Sequence, residues 1–213
     1  LLPPTPVSVP EEFLPQWANY YTTTVQPVLQ DPANTHLVDQ LLTTARAPYE
    51  PANPNTREET IADLLRYNVL ATNDAGQKLG GQPFDNVERV YSGSDDDGAL
   101  NLAVQRFAAE QAALDEIGAH YQTSGQLSVP LVTMHTTADP IVPYEHALMY
   151  RAKTFRADNI ALHEQRSAER YGHCNFTSTE VLDAFHRLVE MLNNPPPYWP
   201  VQRAYLPLVQ RSH

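Results

Sequence analysis

Two residues whose types and positions could do chemistry stand out in this chain: Asp139, which follows the apolar run Val129-Pro130-Leu131-Val132-Thr133-Met134-His135, and His173, which follows Ile160-Ala161-Leu162-His163-Glu164-Gln165-Arg166 by way of Tyr171-Gly172. A histidine acting as a base needs a carboxylate on its far nitrogen, to hold the tautomer and to stabilise the imidazolium formed when it takes a proton. Acid then histidine, each beyond its own strand, is therefore two thirds of a nucleophile-histidine-acid triad. The remaining third is missing, because no Gly-x-Ser-x-Gly, the mark of the strained turn that presents a nucleophilic serine, occurs in the 213 residues. Taken singly, Asp139 reads as a cap for the helix near Pro143 and His173 as a loop residue; the pair together favours chemistry.

The elements that must position them change character along the chain. From about residue 11 to 127 apolar residues recur every three to four positions, the period of amphipathic helices. Leu37, Val38, Leu41 and Leu42 form one stripe; Ile61, Leu64, Leu65 and Val69 another; Leu100, Ala103, Val104, Phe107, Ala108, Leu114, Ile117 and Tyr121 predict a long helix opened by Asp95, Asp96 and Asp97. The stretch from Asn73 to Pro83 reads as a turn-forming loop between the second and third helices. After residue 128, Leu131 to His135 reads as a buried parallel strand. Pro143 suits a helix's first turn, with Ala147, Leu148, Tyr150, Ala152 and Phe155 giving that helix an apolar side. Ile160 to Arg166 supplies a second strand. Thr177-Ser178-Thr179-Glu180 is a capping box, opening a helix that carries Val181, Leu182, Ala184, Phe185, Leu188, Val189 and Leu192. Strand, helix, strand, helix is an α/β unit, and reactive groups of open α/β sheets sit beyond the carboxyl ends of the strands.

Other candidates carry less. Ser92 and Ser94 flank Gly93, but no apolar strand leads into them. Cys174 neighbours His173, and neighbours in an extended chain point to opposite sides, so the expectation is a small buried residue or a disulfide to a cysteine outside this chain rather than a nucleophile. Asp95, Asp96 and Asp97 lack the spaced ligands and glycine of a calcium loop. His135, His146, His163 and His186 share no helical face and no metal-ligand spacing, so no metal is expected. Asn175-Phe176-Thr177 matches the glycosylation tripeptide, beside the histidine that a glycan would obstruct. Trp17, Tyr20, Tyr21, Trp199 and Tyr205 read as packing anchors.

Composition excludes more than it names. A formal net charge of -11, with only 14 Lys and Arg, argues against nucleic-acid binding. With 42% hydrophobic residues the chain can bury a core, and its one cysteine excludes an internal disulfide framework. No apolar run approaches the roughly 20 residues that span a bilayer. The first residues lack the basic start and apolar core of a signal peptide, and without an initiator Met the start reads as the cut end of a mature or processed fragment. Nineteen prolines against eight glycines cluster toward the ends: Pro3, Pro4, Pro6 and Pro10 stiffen the entry, and Pro195-Pro196-Pro197 closes the last helix, so both ends read as extended arms.

The segment from Pro130 to Pro143, with Asp139 in its loop, resembles the seventh strand and acid loop of the α/β-hydrolase superfamily, and Gly172-His173-Cys174 resembles its histidine loop. Gly80-Gly81-Gln82-Pro83-Phe84-Asp85-Asn86, Tyr91-Ser92-Gly93-Ser94-Asp95-Asp96 and the Gly-His-Cys-x-Phe-Thr run resemble a group of bacterial, exported hydrolases within it. The resemblance implies an α/β fold class in which this chain is the C-terminal part of a hydrolase sheet. Residues 1–127 would form a mainly helical lid, 128–194 the α/β segment with the acid and histidine loops, and 195–213 a proline-rich arm. It implies hydrolysis of an ester or amide with Asp139 and His173 as catalytic residues, no cofactor, and a secreted or cell-envelope location. It departs from the family in lacking strands one to six and the nucleophile elbow, so the expected partner is an N-terminal hydrolase segment carrying the serine, on the same precursor or a separate chain. The alternative is a non-catalytic binding module that kept the architecture without the chemistry.

Overall fold

A computed structural model describes residues 9–195. Pro3, Pro4, Pro6, Pro196, Pro197, Trp199 and Tyr205, and with them most of the two expected arms, lie outside the described residues. The fold is mixed: helices throughout, and a small two-stranded parallel sheet in the C-terminal third.

A helical run from Glu11 to Gln30 includes α1 (Trp17–Tyr20) and α2 (Gln26–Gln30), joined by a π turn over Tyr21–Val25. Phe13, Trp17, Tyr20 and Tyr21 stack on one another with ring centroids 5.0 to 6.3 Å apart, so Trp17, Tyr20 and Tyr21 are packing anchors as expected, with Phe13 added to them. The core of this region lies between α3 (Thr35–Ala45) and α4 (Asn55–Leu79), where Val38 and Leu42 meet Ile61, and Leu29, Ala47, Tyr49 and Leu65 close round them. Burying each such side chain contributes about 1.5–3 kcal/mol.

Two helix expectations change here. Of the loop predicted over Asn73–Pro83, residues 73–79 are instead the last two turns of α4, which Gly80 ends with a φ of 67°, while residues 80–83 are non-helical as expected. Asn73 resists its turn preference because its side chain pairs with the backbone of Val9, accepting from the amide at 2.7 Å and donating to the carbonyl at 2.5 Å. The long helix predicted from Leu100 to Tyr121 is broken into α5 (Asp97–Ala103), α6 (Gln111–Glu116) and a π turn, Ile117–Tyr121. Residues 104–110 are extended because Asn86 captures their backbone: the Asn86 amide donates to Phe107 O (3.0 Å), its side chain accepts from Phe107 N (2.7 Å) and donates to Gln105 O (2.9 Å). Helical periodicity yields there to a long-range polar bridge.

In the last third, β1 (Leu131–Ala138) and β2 (His163–Tyr171) pair in parallel, with α7 (Glu145–Arg156) between them in sequence. Both strands are longer than their apolar runs, and β2 begins later than predicted because Ile160–Leu162 forms a 3-10 turn. Register runs evenly from Leu131 opposite His163 to Thr136 opposite Ala168, then slips by one residue so that Ala138 faces Tyr171. α8 (Ser178–Asn193) packs on β1 and α7 on β2. The capping box is present: Glu180 N donates to Thr177 Oγ1 and Thr177 N donates to Glu180 Oε2.

Candidate active site

The strand ends bring the two predicted residues together. β1 delivers Asp139 one residue past its last pairing, and the slip in β2 carries the chain over that end: Gly172 N donates to Ala138 O (3.2 Å) and Thr136 Oγ1 donates to Gly172 O (2.6 Å). Gly172 has a φ of 110°, a conformation that a side chain opposes, so glycine is required at this crossing. His173 Nδ1 then lies 2.8 Å from Asp139 Oδ2, and its Nε2 faces away from the carboxylate.

Asp139 is held from both sides. It is 3% exposed, and its Oδ1 accepts from the amides of Ile141 and Val142, each at 2.9 Å. Burial alone would raise its pKa; the two amides and His173 outweigh that and keep it below the usual carboxylate value. Asp139 does not cap α7, whose N-cap Tyr144 has no side-chain cap; its Oδ1 holds the turn at Ile141 and Val142, and its Oδ2 faces His173. A carboxylate kept ionised and fixed in this way orients an imidazole so that Nε2 can accept a proton.

The histidine loop is tied down on its far side. Asn175 Nδ2 donates to Tyr171 O (2.9 Å), and Arg170 bridges to Glu180 at the start of α8 (2.5 Å). The side chains of the glycosylation tripeptide are thus engaged in the fold, Asn175 in the loop and Thr177 in the cap.

The helical region supplies the opposite wall. Tyr171 OH sits 2.9 Å from Thr60 Oγ1 and donates to Thr56 O (3.3 Å), both on α4, which anchors that helix beside the site. An open cleft of about 320 Å³ is lined by His173, Gly172, Tyr171 and Ile141 on one side and Glu59 and Asp63 of α4 on the other. Burial, with the nearby carboxylates of Glu59, Asp63 and Asp139, raises the Tyr171 phenol above its ordinary value, against the pull of its hydrogen bond to Thr60. Sequence reasoning missed Glu59 and Asp63; their spacing of four puts them on one face of the helix, but nothing local says which element that face meets. A second cleft of about 410 Å³, between α4 and Gln82–Phe84, is lined by Leu64, Tyr67, Ala71 and Phe84 and includes no carboxylate, imidazole or thiol.

The other sequence candidates take structural places. Ser94 Oγ donates to Asp97 (2.7 Å), Asp96 caps α5 through Ala99 N (2.8 Å), and Asp95 binds His36 and Gln40 of α3. His163 is buried between Thr133 Oγ1 (2.9 Å) and Thr154 Oγ1 (3.1 Å), and burial lowers its pKa. It is a core histidine rather than an ordinary polar position. Among the described residues no cluster of three or more His, Cys, Asp or Glu could hold a metal, and no helix is long and apolar enough to cross a membrane.

Cys174 departs from expectation. It is free and exposed rather than buried, and its Sγ lies 3.7 Å from His173 Nε2. The rule that neighbours point apart holds for extended backbone, whereas Cys174 has a φ of 51° and turns its side chain back toward the imidazole. Compared with known proteins, the chain matches no family model, no curated protein and no solved structure.

Proposed function

We propose that this chain is the acid- and histidine-bearing part of a hydrolase of the α/β-hydrolase type, acting on an ester or amide bond. The observation that carries the reading is the 2.8 Å contact of His173 Nδ1 with the buried, amide-held Asp139 carboxylate at the ends of two parallel strands, which leaves Nε2 uncommitted to the carboxylate. In this mechanism Nε2 takes the proton of a serine supplied by a companion segment as its oxygen attacks the carbonyl carbon. Asp139 stabilises the imidazolium, and the proton then passes to the leaving alcohol or amine. Backbone amides of the companion segment stabilise the oxyanion. The helical region beginning before α1 and ending near residue 127 acts as a lid, with Glu59 and Asp63 facing the histidine across the cleft. The chemistry requires no cofactor.

The companion segment is supported by what the C-terminal third leaves uncovered. Parallel sheets are ordinarily covered on both faces and rarely stand as two strands. Here Leu148, Met149 and Phe155 of α7, and Val181, Leu182, Phe185, Val189 and Leu192 of α8, are all exposed. A larger sheet extended by further strands would cover them.

The test is to treat native material with a serine-directed fluorophosphonate and weigh the polypeptides under denaturing conditions. Labelling of a second polypeptide, or of a longer precursor containing Gly-x-Ser-x-Gly, is expected. A pure 213-residue species that remains folded and monomeric and takes no label would leave a non-catalytic binding module as the surviving account.

A further inference from the structure

The base of the proposed triad already has a nucleophile beside it. His173 Nδ1 is committed to Asp139 at 2.8 Å, and the only side chain within hydrogen-bonding reach of its Nε2 among the described residues is the thiol of Cys174, at 3.7 Å. That distance is within the range expected for a sulfur partner, and the order of groups, carboxylate to imidazole to thiol, is the arrangement that activates a cysteine. The loop geometry maintains it: Gly172 has φ 110° and Cys174 φ 51°, and the turn between them is closed by Asn175 Nδ2 on Tyr171 O and by Phe176 N on Cys174 O (2.9 Å). A left-handed conformation at a non-glycine residue costs roughly 1–3 kcal/mol and persists where the surroundings enforce it. The thiol is also exposed, so reagents can reach it.

We propose that Cys174 is a redox modification site: it reacts with low-molecular-weight disulfides, and the mixed disulfide it forms covers Nε2 of His173. In the reaction the thiol proton passes to Nε2 as the sulfur attacks one sulfur of the disulfide. A new S–S bond forms at Cys174, the reagent's own S–S bond breaks, and the departing thiolate takes the proton from the imidazolium. Cys174 is oxidised to one half of the mixed disulfide and the reagent's other half is reduced to a thiol, so no further oxidant is needed. The adduct occupies the nitrogen that acyl transfer needs, and a free thiol reverses it. That last consequence rests on the hydrolase reading; the reactivity of the thiol rests on geometry alone.

The experiment uses the 213-residue chain and 4,4'-dithiodipyridine, a neutral disulfide, because the carboxylates of Glu59 and Asp63 across the cleft would bias a charged one. Reaction of native Cys174 is expected to be about tenfold faster than in the same chain unfolded in urea. His173→Gln should bring the native rate down to the unfolded one, and dithiothreitol should remove the single adduct seen by mass. The His173 ring proton signal should shift on modification and return on reduction. A native rate equal to or below the unfolded rate overturns the proposal without recourse to any variant. So does a wild-type rate in His173→Gln, and an adduct that leaves the His173 signal unmoved overturns the covering of Nε2. Rapid labelling of Cys174 in native material that takes no fluorophosphonate and has no companion polypeptide would sink the hydrolase reading and leave this one standing.

Discussion

Helices α3 and α8 carry apolar stripes of similar clarity, yet they differ in how much of the stripe is buried. On α3, Val38 and Leu42 are buried against Ile61 of α4, while Leu37 and Leu41 are exposed. On α8, only Ala184 and Met191 are buried, while Val181, Leu182, Phe185, Val189 and Leu192 face outward. An apolar stripe records that a face has a partner; it does not say that the partner is on the same chain. The difference teaches that α3 and α4 share a buried core, whereas α8 leaves most of its apolar face exposed among the described residues.

That comparison can be broken most severely at the site itself. In the complete assembly His173→Ala should lower ester turnover by roughly ten-thousand-fold with folding intact, as for loss of a triad member; turnover at the wild-type level would remove the residue from the mechanism. Stability then contrasts the two helices directly. Leu42→Ala should destabilise the chain by about 2–5 kcal/mol. Phe185→Ser, at a side chain 60% exposed, should change urea stability by no more than about 0.5 kcal/mol and make the isolated chain more soluble. Equal losses at the two positions would mean that α8 is already covered. A smaller effect belongs to the capping box, where Thr177→Ala should cost about 1 kcal/mol.

The pH dependence separates the buried groups by window, since both lose their contribution as pH falls and His163 does so first. His163 has a folded pKa below its ordinary 6.5, so the stability it contributes is present above about that pH and is lost as pH falls. Thermal unfolding midpoints should therefore drop between pH 7 and 5, and less steeply in His163→Gln. Asp139 is depressed below its ordinary 3.8, so its contribution is complete above that value and disappears as pH falls through the folded value. Asp139→Asn should flatten the acid limb alone. A flattening above pH 5 in that variant would contradict the assignment.

Much of the site was legible because its determinants are local. Asp139 and His173 each follow a strand, and parallel strands bring their carboxyl ends to the same rim, so residue order along the chain was enough to pair them. The capping box at Thr177 and Glu180 likewise lies within four residues and was readable as written. Periodicity misled where a distant polar group competed with it. Asn86 extends residues that would otherwise continue a helix, and Asn73 keeps helical a stretch whose composition favours a turn, through its bonds to Val9.

By itself, then, the sequence determined the alternation of strand and helix in the last third, the rim on which acid and base meet, and the apolar stripes, because each depends on backbone periodicity and side-chain type over a few residues. Tertiary structure alone decided that Glu59 and Asp63 face the histidine across a cleft, that the thiol of Cys174 turns back onto Nε2, and that the stripe of α8 stays uncovered. Those outcomes follow from a single left-handed residue and from packing between segments far apart in the chain, and neither leaves a local pattern to read.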